Sequence, residues 1–378
     1  MKKIIYSIVL IWGLFKINSC TEPYIPKVVA SNNNYLVVDG FINSGGDSIK
    51  IRLSRTTNLG DTIKDVPELS AGVTIESENG TNYALTSLGN GQYGSLPITF
   101  NPSIKYKLRI STAGGGLYES EFVQVKPTPA IDSVSWVRDS GITISVNSKD
   151  LTNNTRYYRW AYEETWQYRS YYESLYKFDY LTNQVNFRNS SEMIYDCWST
   201  DGSKDIIIGT TSNLSQDIVS NQRMVIIPKG SDKISVKYSI LVKQYALTKE
   251  AFEYWQILKK NAKDLGSIFG NQPSTLTGNV KCISNPSEPV IGFVSISSES
   301  SKRIFINKGE VSDWGASSNY ESQCKAKIPP PDSISYYLQN DRTLDIAYAI
   351  TGGGYALAKN VCIDCRLNGG TTKKPSFW

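Results

Sequence analysis

Two spacings in this 378-residue chain could carry chemistry. Cys362-Ile363-Asp364-Cys365 is a CxxC, the arrangement of a dithiol redox centre or of half a zinc site. Glu163-Glu164 is a carboxylate pair set among aromatic residues, the composition of a sugar-hydrolysing cleft. Neither comes with the rest of its machinery. A redox CxxC belongs at a helix N-terminus in a βαβ setting, and this one lies near the C-terminus before a Gly-rich stretch. Zinc needs two further ligands, and the chain has no second CxxC. Glycosidase carboxylates face each other about 5–10 Å apart, whereas neighbours on one strand point to opposite faces. The chain has no histidine, which excludes Ser-His-Asp and Cys-His catalysis and His-ligated zinc, copper or haem. Gly114-Gly115-Gly116 and Gly352-Gly353-Gly354 lack the phosphate-loop pattern. The expectation is a non-enzymatic protein with no catalytic residue, no metal and no cofactor.

Five cysteines follow Cys20: Cys197, Cys282, Cys324, Cys362 and Cys365. They are candidate disulfide cysteines, with the pairing open and one thiol left over if two bonds form. A structural disulfide is preferred over redox or metal use for the CxxC.

Between Tyr157 and Tyr180, 11 of 24 residues are aromatic, and nine of these hold even positions. Period two fits strands presenting one aromatic face. Tyr158, Trp160, Tyr162, Trp166 and Tyr168 are the candidate ligand- or partner-binding residues, as a stacking platform for glycan or peptide. The alternative is a core sheet packed by large side chains. Glu164 shares the aromatic face and Glu163 the face of Tyr157 and Arg159.

The elements that position these residues begin with an address. Lys2-Lys3 precedes an apolar stretch of 12 residues, Ile4 to Phe15, too short to span a bilayer but right for a signal peptide. Ile17-Asn18-Ser19-Cys20 resembles a bacterial lipobox, with Cys20 as the lipidation site; a cleaved secretory peptide with an incidental cysteine is the alternative. Acyl chains on Cys20 would hold a folded body at a membrane surface. Removing residues 1–19 leaves 37 basic against 35 acidic residues, with no basic block suited to nucleic acid. The expected location is the outer membrane, lipid-anchored, with the cell-surface side favoured over the periplasmic one.

The rest reads as mainly β. After a tether over 20–33, residues 34–126 show about seven short strands with turn signals at sandwich spacing, such as the Asn79-Gly80 hairpin turn. This predicts an immunoglobulin-like or prealbumin-like β-sandwich. Lys126-Pro127-Thr128-Pro129 reads as a linker. A larger β-rich domain over 131–378 follows, carrying one main α-helix near 249–265. Thr248 can cap that helix, Leu247 and Phe252 are placed as a hydrophobic staple, and Gly266 or Gly270 stops it. Val290 to Ser297 and Arg303 to Asn307 read as a hairpin, and Leu344 to Ile350 as the last strand.

Several segments together resemble a known family. They are Tyr35–Ile42 (YLVVDGFI), Ile51–Thr56 (IRLSRT), Pro127–Ser133 (PTPAIDS), Tyr157–Trp166 (YYRWAYEETW), Val242–Trp255 (VKQYALTKEAFEYW), Ser287–Phe293 (SEPVIGF) and the ending from Cys362 to Trp378. This set is similar to the Bacteroidota outer-membrane lipoprotein family of domain of unknown function 4249. The resemblance implies an outer-membrane lipoprotein, often encoded beside a TonB-dependent receptor, and the expected role is an accessory lid or docking subunit of that receptor barrel. The family has no assigned activity, so it lends no catalytic residue.

Overall fold

The structure is a computed structural model that describes residues 34–45, 48–57, 66–264, 276, 278–311, 313–315 and 323–378. The signal segment, Cys20, the tether and the expected helix stop at Gly266 or Gly270 lie outside them. Among the described residues no helix is long and apolar enough to cross a membrane. The chain is mainly β, as expected.

Eight strands close the first sheet into a ring. Around it run Lys105–Ser111, Gly72–Ser77, Asn82–Gly89, Gln92–Ser95, Ile49–Arg55, Leu36–Asn43, Ser295–Ser297 and Val123–Lys126, the last pairing back onto Lys105–Ser111. Ser295–Ser297 lies parallel to both its neighbours. Alternation puts Ile49, Ile51 and Leu53 inward, where they meet Leu36, Val38, Ile75, Leu108 and Ile296 in one core. Closure pairs the edges that an open sheet would expose. Gly40 sits opposite Ile51, where a Cβ would lie 2.9 Å from the isoleucine side chain. Gly292 has φ +142° and its Cβ would lie 2.3 Å from the Val38 carbonyl oxygen, so the crossing segment approaches the ring only as glycine.

The pairing crosses the expected boundary between 34–126 and 131–378. Val280–Cys282 extends the first sheet beside Leu117–Ser120, and Ile291–Gly292 and Ser295–Ser297 join Leu36–Asn43. The expected hairpin between residues 290 and 307 is therefore not one. Ser295–Ser297 belongs to the ring and Glu299–Asn307 to a different sheet, so the chain changes bodies at Ser298. A local turn signal cannot distinguish a strand that turns back from one that crosses over.

The second body is two packed sheets. The aromatic strand Tyr157–Arg169 lies between Lys237–Leu247 and the pair Asp196–Gly202 and Ile207–Thr210, with Glu299–Asn307 beyond Lys237–Leu247. A three-stranded sheet of Ile131–Arg138, Gly141–Asp150 and Asp217–Pro228 covers its even face. Ile142, Ile144 and Val146 meet Tyr158, Trp160, Tyr238 and Ile240 between them.

The helix spans Lys249–Asp264. Thr248 Oγ1 accepts from the Ala251 amide at 3.2 Å, and Leu247 packs with Phe252, so cap and staple both form. Phe252 lies 5.1 Å from Tyr157 and Tyr254 5.3 Å from Phe293, which lays the helix across the odd face of the aromatic strand and against the crossing segment.

A third cluster uses the C-terminal part. Leu344–Ala349 is followed by a further strand, Tyr355–Lys359, so Leu344 to Ile350 is not the last strand. Gly352, Gly353 and Gly354 form the turn between them, with φ of +98°, +112° and +93°. The chain end returns to the five-stranded sheet. Arg303 lies 3.6 Å over Phe377, Lys237 lies 4.4 Å over Phe305, and Trp378 Nε1 donates to Gln167 Oε1 at 3.2 Å.

Candidate functional site

The aromatic strand has two faces with different fates. On the even face, Tyr158, Trp160 and Tyr168 are buried, at 0%, 2% and 7% exposure. The Tyr158 hydroxyl donates to Asp217 at 2.7 Å, Trp160 Nε1 to Gln244 at 2.8 Å, and the Tyr168 hydroxyl to the Cys365 carbonyl at 2.9 Å. These three are core residues, and the stacking platform expected of them does not form. Tyr162 and Trp166 are half-buried at the edge of the same core. The reason is tertiary: period two gave the face correctly, but Tyr158 and Trp160 are covered by residues 131–150 and 217–228 and Tyr168 by the Cys197–Cys365 bridge.

Glu164 lies on this buried face at 2% exposure. It accepts from Lys233 Nζ and from the Tyr238 hydroxyl, each at 2.6 Å. Burial, then the Glu164 charge, raises the Tyr238 hydroxyl far above its ordinary range. The same causes push Tyr162 up to about 12. Lys233 also lies 4.9 Å over the Trp166 ring. Glu163 points the other way, to Lys243 Nζ at 2.5 Å. The adjacent carboxylates thus take opposite faces as expected, and each is held by its own lysine.

The CxxC cysteines are not partners of each other. Cys365 is bonded to Cys197 on the five-stranded sheet, and Cys362 to Cys324. Both thiols are committed, so the redox and zinc alternatives for the motif fall away. Among the described residues Cys282 is the free cysteine, and it is buried.

On the odd face the strand meets the helix, and a cavity of about 480 Å³ opens between the second body, the helix and the ring. Its lining includes Asp39, Phe41, Arg159, Trp255, Leu258 and Phe293. The Arg159 guanidinium lies 4.2 Å over the Trp255 ring and 5.5 Å from that of Tyr245. Tyr245 is itself fixed, its hydroxyl donating to Glu299 at 2.8 Å and its ring 4.6 Å from Phe41. Among the described residues the guanidinium has no hydrogen bond and no ion pair. Burial lowers its pKa, against the pull of Tyr245 and Asp39. Arg159 was legible only as sharing a face with Glu163. Its surroundings come from three segments, near residues 39, 255 and 293, and no local spacing links them.

The fold and this geometry define a class: a β-rich, disulfide-stapled protein whose two sheet bodies enclose a small cavity. The chain belongs to the family described as Domain of unknown function (DUF4249), whose model matches residues 21–303. The match covers the ring, the aromatic strand, the helix and the cavity, and stops before the Cys362–Trp378 ending that the sequence resemblance also drew on. No curated protein matches the chain. Among solved structures, a DUF4785 family protein from Legionella pneumophila is similar at 8% identity over 56% of this chain and 52% of that one, with a TM-score of 0.19. The BSP domain of a biofilm associated protein is similar at 7% identity over 78% of this chain and 62% of that one, with a TM-score of 0.17.

Proposed function

We propose that this chain is a non-enzymatic lipoprotein of Bacteroidota, anchored through Cys20 at the cell-surface side of the outer membrane. It serves as a lid or docking subunit of a TonB-dependent receptor barrel, and its N-terminal ring is a closed relative of the expected immunoglobulin-like or prealbumin-like sandwich. The observation that carries the reading is the pair of disulfides, Cys197–Cys365 and Cys324–Cys362. Buried bridges between distant segments belong to a chain that folds in an oxidising compartment, where a signal segment and lipobox would deliver it. The carboxylates of Glu163 and Glu164 are tied to lysines, which supports a binding role over hydrolysis.

Native pull-down from detergent-solubilised outer membranes tests the partner. The expected result is co-recovery of a receptor barrel, and Cys20→Ser should move the protein into the soluble fraction. Recovery of the wild-type protein alone, in every detergent that preserves receptor complexes, would overturn the accessory role.

A further inference from the structure

We infer that the cavity between the ring and the helix is a binding site for a small monoanionic carboxylate with a flat apolar body, its carboxylate held by Arg159 and its body by Trp255, Tyr254 and Phe293. This goes beyond the receptor role and does not depend on it.

Three observations converge. The first is a half-buried cation with no hydrogen bond and no ion pair among the described residues. A guanidinium partly withdrawn from water is stabilised by acceptors for its N–H donors, and charges taken into a protein are usually paired. Arg188 shows the usual solution in this protein, donating to Asp345 at 2.9 Å. Arg159 has ring faces, Trp255 at 4.2 Å and Tyr245 at 5.5 Å, and the pull of Asp39 without a hydrogen bond or ion pair to it. A guanidinium held over a ring still has its in-plane N–H donors to give, and those match the two oxygens of a carboxylate. None of its nitrogens is among the sealed, unpartnered polar atoms of the described residues, so the donors face accessible space.

The second is size and surface. About 480 Å³ falls within the range of sites that enclose small organic ligands, and the walls are largely aromatic and aliphatic. Phosphate or a divalent anion suits it poorly, because among the described residues Arg159 is the one cation in the lining and Asp39 stands at the same cavity. One positive charge beside one negative charge favours a monoanion whose remaining surface is apolar.

The third is rigidity. Arg159 sits mid-sheet, paired on both sides with Tyr245 and Ile208. Trp255 is on the capped helix, and Phe293 follows Gly292, which is wedged against Val38. The groups that would hold the ligand are therefore pre-positioned, which lowers the ordering cost of binding.

Indole-3-acetate and its neutral amide, indole-3-acetamide, are suitable probes for calorimetric titration of the full chain in detergent. The acid should bind with Kd below about 1 mM and the amide about tenfold more weakly or worse. Arg159→Gln should weaken the acid by about tenfold or more, while Asp39→Asn, which removes the like charge, should tighten it about two- to fivefold. Binding of the acid should be flat between pH 6 and 8, since the chain has no histidine. Should Arg159→Gln fail to fold, Leu258→Trp decides instead: it fills the cavity, leaves Arg159 in place, and should abolish binding. Equal affinity for acid and amide, undiminished binding by a folded Arg159→Gln or Leu258→Trp chain, or no binding of the acid would overturn the site.

Discussion

Single residues show how this chain distributes its charges. Glu164 is a buried carboxylate at 2% exposure with Lys233 and Tyr238 each 2.6 Å away, while neighbouring Glu163 is half in solvent with Lys243. The difference follows from period two on one strand. A buried charge that loses its partner is costly, whereas an exposed pair contributes little. Lys233→Met should therefore destabilise the protein by about 3 kcal/mol, and Lys243→Met by less than about 1 kcal/mol. Urea unfolding of the two variants checks this. Adding Glu164→Gln to Lys233→Met should recover most of the loss; equal costs for the two lysines would show that Glu164 remains solvated. The opposite faces of the two glutamates were legible in the sequence, because alternation is a backbone property. Their lysine partners were not, since Lys233 and Lys243 lie about 70 and 80 residues downstream.

Consecutive strands often pair as hairpins, and two disulfides join elements that are distant in the chain. Cys197–Cys365 spans 168 residues and Cys324–Cys362 spans 38. In the chain-entropy picture these restrain the unfolded chain by about 5 and about 4 kcal/mol. Replacing the first pair by alanine should thus lower the urea midpoint more than replacing the second. The reverse order would show that packing around the sulfurs outweighs chain restraint. The helix, its cap and its staple were readable from local signals, which act within one or two turns. The hairpin expected at residues 290–307 was not what formed, because its two halves find better partners in different sheets.

At the scale of the whole molecule, two adjacent crossings among the described residues hydrogen-bond to each other. Lys126–Ile131 leaves the ring beside Ser297–Ser300, which also leaves it for the second body. The Thr128 amide donates to Ser298 Oγ at 2.8 Å, and the Ile131 amide to Ser300 Oγ at 3.0 Å. The ring closes only through Ser295–Ser297, which sits between Leu36–Asn43 and Val123–Lys126. A fragment of residues 34–126 should therefore associate or aggregate through its two open edges, as light scattering would show. Supplying residues 278–298 should restore a monomer. A stable monomeric 34–126 fragment without them would mean that the ring does not need the returning strand.

Reading along the chain reaches as far as local physics does. Period-two patterning set the β class and the strand faces, the capping residues set the helix, and the absence of histidine removed imidazole chemistry. The odd cysteine count foretold a free thiol if two bridges formed, and Cys282 is that thiol. Tertiary structure alone decided which face of the aromatic strand is covered, which cysteines pair, that the first sheet closes through residues 295–297, and that Arg159 lines a cavity with Asp39, Trp255 and Phe293. Each of these depends on contacts between residues tens to hundreds of positions apart. Side-chain spacing along a strand says which way a residue points, and only the packed fold says what it meets there.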